Sequence, residues 1–387
     1  MKRILFRASV LTQSGYGVHA RQIARWLLSK KDVDVKFQAL PWGDTPWILD
    51  RNSHRGLIGE IMDRTTDVNP GDHYDVTLQL QLPNEWDHTL GTFNVGLTAG
   101  VETDKCNPEW VAACNKMDAV IVPSEHVKSC LTNSGPVFKP ITVIPESFVD
   151  AIKDENLPQL PSFSTDFNFL VFGQFTGNNP MNDRKNTFNT IKWMCEAFKD
   201  DPSVGIVLKT NMGRNTRIDR NVTKNTLVQY LREVRPTGFP KLHLLHGDMS
   251  DEEVASLYVH PQIKALVTLT RGEGFGLPIL EAAASGLPVI ATGWSGHMDF
   301  LKHGKFVNVF YHLNELHPSR VDDKIFIKGT RWANPSEDDF KKKILKFRSS
   351  HTVPRQWATE MKSVLRSTYD FNDISKMYDN LLSERIT

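Results

Sequence analysis

The sequence predicts an α/β protein made of two doubly wound domains, and three observations carry that prediction. Short apolar runs alternate with helical patterns along the chain, the mark of parallel strands joined by crossover helices. The alternation lapses once, in a proline-bearing stretch between residues 145 and 168, and then restarts. At 387 residues the chain has length for two or three domains, each able to bury a core.

The elements follow in order. Met1-Lys-Arg-Ile-Leu-Phe-Arg7 is charged on both sides of a three-residue apolar run and opens a first strand, Arg3 to Ser9, rather than a signal peptide. Gln13-Ser-Gly-Tyr-Gly17 then leads into a helical pattern of Val18, Ile23, Ala24, Trp26, Leu27 and Leu28. A glycine turn between strand and helix suits an anion or a close backbone approach, and equally a plain tight turn. Val33 to Leu40 alternates as a strand. Residues 42–62 look irregular, with Trp42 and Trp47, and form an acceptor loop or a structural lid. Val76 to Leu82 and Phe93 to Thr98 are further strands. Gly100-Val-Glu-Thr-Asp104 places Glu102 beyond a strand end, where ligands of open α/β sheets bind; Thr103 or Asp104 as a helix cap is the other reading. After the strand Ala119 to Val122, Ser124 caps a helix, with His126 on its surface, and Ile141 to Ile144 closes the first sheet. The boundaries expected are 1–155, 156–365 and a C-terminal helix over 366–387.

In the second half, Phe169 to Gln174 is a strand. A loop with Gly177, Asn178, Asn179 and Pro180 leads to Asp183-Arg184-Lys185-Asn186 and a helix reaching about Phe198. Arg184 can fork onto two phosphate oxygens and Lys185 adds a point charge. Val204 to Lys209 is a strand, and the basic run Gly213 to Arg220 reads as a solvated loop. Leu242 to Leu245 and the loop His246-Gly-Asp-Met249 precede a helix capped by Ser250. The strand Ala265 to Leu269 runs into three glycines, Gly272, Gly274 and Gly276, and Pro278 suits the first turn of a helix that stops near Gly286. Free N–H groups at such a helix start attract phosphate. Glu273 in the loop and Glu281 inside the helix would repel it, so they fit as acceptors from hydroxyls. Phosphate together with hydroxyls describes a nucleotide sugar. Pro288 to Ala291 is the next strand, and His297 in the following loop is a candidate near the pocket. Past a strand at Phe306 to Phe310, residues 328–335 read as loops, and helices run over about 336–349, 355–366 and 371–383.

A net charge of +1 supplies no strong field toward nucleic acid or membrane. No apolar run approaches a membrane span. The four cysteines have no metal-like spacing and read as reduced thiols of a cytoplasmic protein, host cytoplasm if the source is viral.

Glu273-Gly-Phe-Gly-Leu-Pro-Ile-Leu-Glu281 resembles the E-x7-E signature of retaining glycosyltransferases with the GT-B fold, the large family 4 group also called glycosyl transferases group 1. The resemblance implies two Rossmann-like domains facing across a cleft, and transfer of a sugar, with retained anomeric configuration, from a UDP- or GDP-sugar to a hydroxyl acceptor. It implies catalytic roles for Glu273, Arg184, Lys185 and, more weakly, Glu102, and donor contacts from Gly15, Tyr16, Gly17, Met249, Gly274, Phe275, Gly276, Leu277 and Glu281. It calls for neither cofactor nor metal. Gln174 stands where the family usually carries an arginine, which shifts phosphate binding toward Arg184. Some viral enzymes of this fold glycosylate hydroxymethylated bases in DNA, and the seven basic against two acidic residues from Arg214 to Lys241 keep that acceptor open. A nucleotide-sugar epimerase of the same fold is a further alternative.

Overall fold

The computed structural model describes residues 1–174 and 179–386. The chain divides into two compact units: Met1–Ser147 with Asp323–Ile327 and the chain from Phe371 on, and Phe148–Asp322 with Lys328–Asp370. The division falls at Ser147, ahead of the residue 155 expected from the prolines. Phe148, Ala151 and Ile152 explain why, since all three are buried in the core of the second unit.

The first unit is built on strands β1 (Lys2–Ala8), β2 (Val33–Ala39), β3 (Tyr74–Leu80), β4 (Gly91–Leu97), β5 (Ala119–Val122) and β6 (Ile141–Val143). They form one parallel sheet in the order β2-β1-β3-β4-β5-β6. The first helices are α1 (Gly15–Leu28), α2 (Leu57–Asp63), α3 (Pro108–Cys114) and α4 (Glu125–Ser134). Ser124 caps α4, accepting from the Val127 N–H. α3 is capped by Asn107, not by Thr103 or Asp104; the Thr103 hydroxyl instead donates to the Lys105 carbonyl. Part of the segment read as irregular is helical, because Ile58 and Ile61 of α2 reach the core.

The second unit carries β7 (Phe167–Phe172), α5 (Thr187–Ala197), β8 (Val204–Thr210), α6 (Arg217–Val234), β9 (Lys241–His246), α7 (Asp251–Val259), β10 (Ile263–Thr268), α8 (Leu277–Ser285), β11 (Val289–Thr292), α9 (Met298–Leu301), β12 (Val307–Val309), β13 (Tyr311–Glu315), β14 (Arg331–Pro335), α10 (Glu337–Ser349) and α11 (Thr352–Thr368). The last helix, α12 (Phe371–Ile386), belongs to the first unit. The second sheet is parallel, in the order β12-β11-β10-β7-β8-β9.

Both faces of this sheet are covered, as the period of two in a strand requires. Phe169, Val171, Ile206, Leu208, Val267 and Ile290 enter one core with residues of α5, α6 and α10. Leu170, Val207, Leu266, Val289 and Ala291 enter another with α7, α8 and α11. Strand order reverses between β1 and β3 in the first sheet and between β7 and β10 in the second. The carboxyl ends of strands at such a reversal are where open α/β sheets bind ligands.

Two further expectations are corrected. The basic run read as a solvated loop is helical from Arg217, where α6 starts behind a capping box of Thr216 and Asp219. Residues 331–335, read as loop, are β14, paired antiparallel with β13.

Candidate active site

The loop between β10 and α8 is fixed by its neighbour between β11 and α9. The Glu273 N–H donates to Ser295 Oγ at 2.8 Å, and the Gly296 N–H donates to the Glu273 carbonyl at 2.9 Å. A Cβ at position 296 would lie 2.1 Å from the Gly274 carbonyl oxygen, so only glycine permits this approach. Gly276, at φ +103°, turns the chain into α8, and Pro278 occupies the first turn. His297 is fully buried behind the loop, its Nε2 2.7 Å from the Thr292 carbonyl and its Nδ1 3.4 Å from Ser295 Oγ. The carbonyl contact requires the proton on Nε2, and burial lowers the imidazole pKa, so His297 braces the loop as a neutral ring.

Residues from the segment just ahead of α5 and from the loop after β10 meet at Glu273. Lys185 Nζ lies 2.7 and 3.0 Å from the two carboxylate oxygens, and Arg184 Nη1 lies 3.3 Å from Oε2. Arg184 also donates to the Gly272 carbonyl at 2.8 Å. Burial alone would raise the Glu273 pKa, but Lys185 and Arg184 outweigh it and hold it at about 2. The carboxylate side chain is 9% exposed, whereas those of Arg184 and Lys185 are 22% and 23% exposed. The cluster therefore presents its cationic side to solvent.

Glu281 is in the opposite state. Its Oε2 accepts from the Tyr258 hydroxyl at 3.0 Å, and it bonds the Val149 backbone. Burial, aided by Asp251, pushes its pKa up to about 8. The spacing of seven residues between these two glutamates conveys nothing of this difference, which comes from the cations beside Glu273 and from burial, aided by Asp251, at Glu281. The Phe275 ring packs on Phe300 at 5.3 Å and on Tyr369 at 6.3 Å, so its backbone alone is available to a ligand. Met249 and Leu277 are half-buried against the same core. Gln174 is exposed two residues beyond the end of β7, while Gly177 and Asn178 of the expected phosphate loop lie outside the described residues.

In the first unit, Ser14 caps α1 by accepting from the Gly17 N–H at 2.9 Å. A Cβ at position 17 would lie 2.1 Å from the Thr12 carbonyl oxygen, which accounts for that glycine. Tyr16 bonds Thr98 Oγ1 at 3.2 Å, accepts from the Ala99 N–H at 3.1 Å and stacks on Trp42 at 3.7 Å. Its side chain thus ties the first turn of α1 to the start of the loop after β4, and Trp42, from the segment after β2, stacks on it. Gly15 has open space around it. Glu102 is half-buried in the loop after β4. Among the described residues no group of three or more His, Cys, Asp or Glu could hold a metal ion, and no helix is long and apolar enough to cross a membrane.

Residues 232–360 match the family model of the glycosyl transferases group 1. The match includes Met249, Glu273 and Glu281; Arg184 and Lys185 precede it. The two parallel-sheet units are those of the GT-B fold. Sucrose-phosphate synthase from Thermosynechococcus elongatus is similar over 99% of both chains, with a TM-score of 0.61 and 13% identity. An E. coli structure described as trehalose-6-phosphate bound with UDP-2-fluoro glucose is similar over 98% of both chains, with a TM-score of 0.61 and 9% identity. S. aureus TarM, solved with fondaparinux, alpha-GlcNAc-glycerol and UDP, is similar over 79% of this chain and 55% of its own, with a TM-score of 0.52 and 16% identity. At these identities the likeness is one of fold. No curated protein sequence matches the chain.

Proposed function

We propose that the protein is a retaining glycosyltransferase that moves a sugar from a UDP- or GDP-sugar to a hydroxyl acceptor. The observation that carries the proposal is the Arg184–Lys185–Glu273 cluster, set where strand order reverses and opening its cationic side to solvent. A donor diphosphate would compete with Glu273 for the two cations. The carboxylate so released would accept from the hydroxyls of the donor sugar. Backbone N–H groups of Gly274, Phe275, Gly276 and Leu277 would reach sugar and phosphate, Glu281 the ribose hydroxyls, and Met249 the base. The group 1 match and the UDP and UDP-sugar bound in the similar structures support the choice of donor.

The transfer breaks the bond from the anomeric carbon to phosphate and forms one to the acceptor oxygen on the same face. The acceptor proton passes to the leaving phosphate. Arg184 and Lys185 stabilise the charge on that phosphate as preorganised electrostatics. On this reading no bound metal is needed.

The test is a thermal-shift series with UDP, GDP, ADP and their sugars, followed by transfer assays read by NMR at the anomeric carbon. A ligand that binds the folded state alone raises apparent stability by mass action. A shift with UDP or GDP, and a product of retained configuration formed in the presence of EDTA, are the outcomes expected. An inverted product, or transfer that stops with EDTA, would overturn the mechanism. The exposed cations Arg217, Arg220 and Lys224 on α6 give one reason to include hydroxymethylated DNA among the acceptors, where transfer should weaken steeply with salt.

A further inference from the structure

Arg271 is 3% exposed, yet every guanidinium nitrogen has a partner. Nε donates to the Asp183 carbonyl at 3.2 Å. Nη2 lies 3.3 Å from the Pro180 carbonyl and 3.4 Å from Asn186 Oδ1. Nη1 donates to Asn334 Oδ1. The guanidinium sits 5.1 Å from the centre of the Trp332 ring. Its backbone is held as well: the Arg271 N–H donates to the Arg184 carbonyl at 2.9 Å, and its own carbonyl accepts from the Ala333 N–H at 2.9 Å.

These contacts share one geometry. Pro180, Asp183 and Asn186 bracket Arg184 and Lys185 on both sides, and Arg271 itself lies two residues before Glu273. Asn186 is in the left-handed region, at φ +55°, so the chain leaving Lys185 has a turn that its side-chain contacts help to hold. Trp332 and Asn334 come from β14, the strand that the sequence leaves unannounced, and supply the stacking face and the last acceptor.

We propose that Arg271 is a positioning residue: it ties the Arg184–Lys185 segment to the Glu273 loop so that both cations meet the carboxylate and remain open on the other side. That the cations then serve a diphosphate rests on the function proposed above. A lysine could not substitute, because one ammonium cannot reach separate acceptors in the planar fork that a guanidinium spans.

The test compares Arg271→Lys and Asn334→Ala with the wild type in two readouts. One is the affinity for UDP and GDP relative to uridine and guanosine, by calorimetry. The other is the titration of the Glu273 carboxyl by carbon NMR, assigned with Glu273→Gln. A charge-assisted contact that loses its aim should lower diphosphate affinity about tenfold or more in Arg271→Lys, with nucleoside affinity unchanged. The Glu273 midpoint should rise by about one pH unit as its cations drift. Asn334→Ala should move both in the same direction by less, and it carries the test alone if Arg271→Lys does not fold. A folded variant with the wild-type affinity ratio and the wild-type Glu273 titration would overturn the role of Arg271. Wild-type protein that binds neither diphosphate would overturn the phosphate clamp, and the Glu273 titration would still decide whether Arg271 positions the cluster.

Discussion

Glu273 and Glu281 share a side chain and differ in everything that sets its chemistry. Glu273 is depressed to about 2 by Lys185 and Arg184 against the pull of burial. A depressed carboxylate contributes stability above its unfolded pKa and loses it as pH falls through the folded value, so this contribution should fade between pH 4.5 and about 2. Its size is about 3 kcal/mol from the shift alone. Lys185→Met should therefore cost about 3–5 kcal/mol in urea unfolding at pH 7, since it leaves a buried carboxylate short of its main partner. Transfer should fall by about 100-fold. A Lys185→Met protein with wild-type turnover would remove this residue from the mechanism. Glu281 has the opposite sign. Its pKa is raised to about 8 by burial and Asp251, so stability is fully present below pH 4.5 and declines as pH rises through about 8. Glu281→Gln should match the wild type near pH 5 and exceed it near pH 8.5 in thermal unfolding. Parallel curves for the two proteins across that range would show that Glu281 ionises freely in the fold.

At the scale of elements, the loops at the site were legible and the supports around them were not. Three glycines, Pro278 and Gly286 mark the turn, start and stop of α8 through backbone rules that act locally, and Ser250 and Ser124 announce their caps in the same way. α6 escaped because its buried stripe is thin: Thr223, Leu227 and Leu231 are its buried residues in an otherwise polar and basic sequence. Thr216 and Asp219 were the available signal, a capping box three residues apart. The β13–β14 hairpin escaped because no short turn joins its strands and most of β13 is exposed. The pairing of Lys185 with Glu273 escaped for a different reason, since it depends on β7 and β10 lying side by side, which spacing along the chain does not encode. What the elements do predict is the price of crowding the site loop. Gly296→Ala should lower stability by about 1–3 kcal/mol, because the added methyl must displace the Gly274 carbonyl. It should also weaken transfer, since that carbonyl belongs to the loop that aims Glu273. Unfolding and turnover measured on one preparation check both, and a variant losing neither would mean that the loop yields without consequence.

At the scale of the molecule, the chain returns to its beginning. α12 follows the whole second unit in sequence, yet Ile374, Tyr378, Leu382 and Ile386 are buried in the core that β1, β2, β3 and α1 build. Trp26 Nε1 donates to Asp379 at 2.9 Å, and Lys30 pairs with the same carboxylate. Tyr378 also lies against the Trp26 ring, with centroids 5.0 Å apart. Burying an apolar side chain of this size contributes about 1.5–3 kcal/mol, so the four together contribute about 6–12 kcal/mol. The net stability of a domain is about 5–15 kcal/mol. Removing residues 371–387 should therefore leave the first unit at the edge of unfolding, whereas the second unit, whose cores contain none of these residues, should keep its hydrogen-exchange protection. Exchange measured peptide by peptide would show β1 to β4 unprotected and β7 to β11 protected in the truncated protein. Retained protection in β1 to β4 would mean that the first sheet closes its core without the last helix, and that α12 covers a surface already stable on its own.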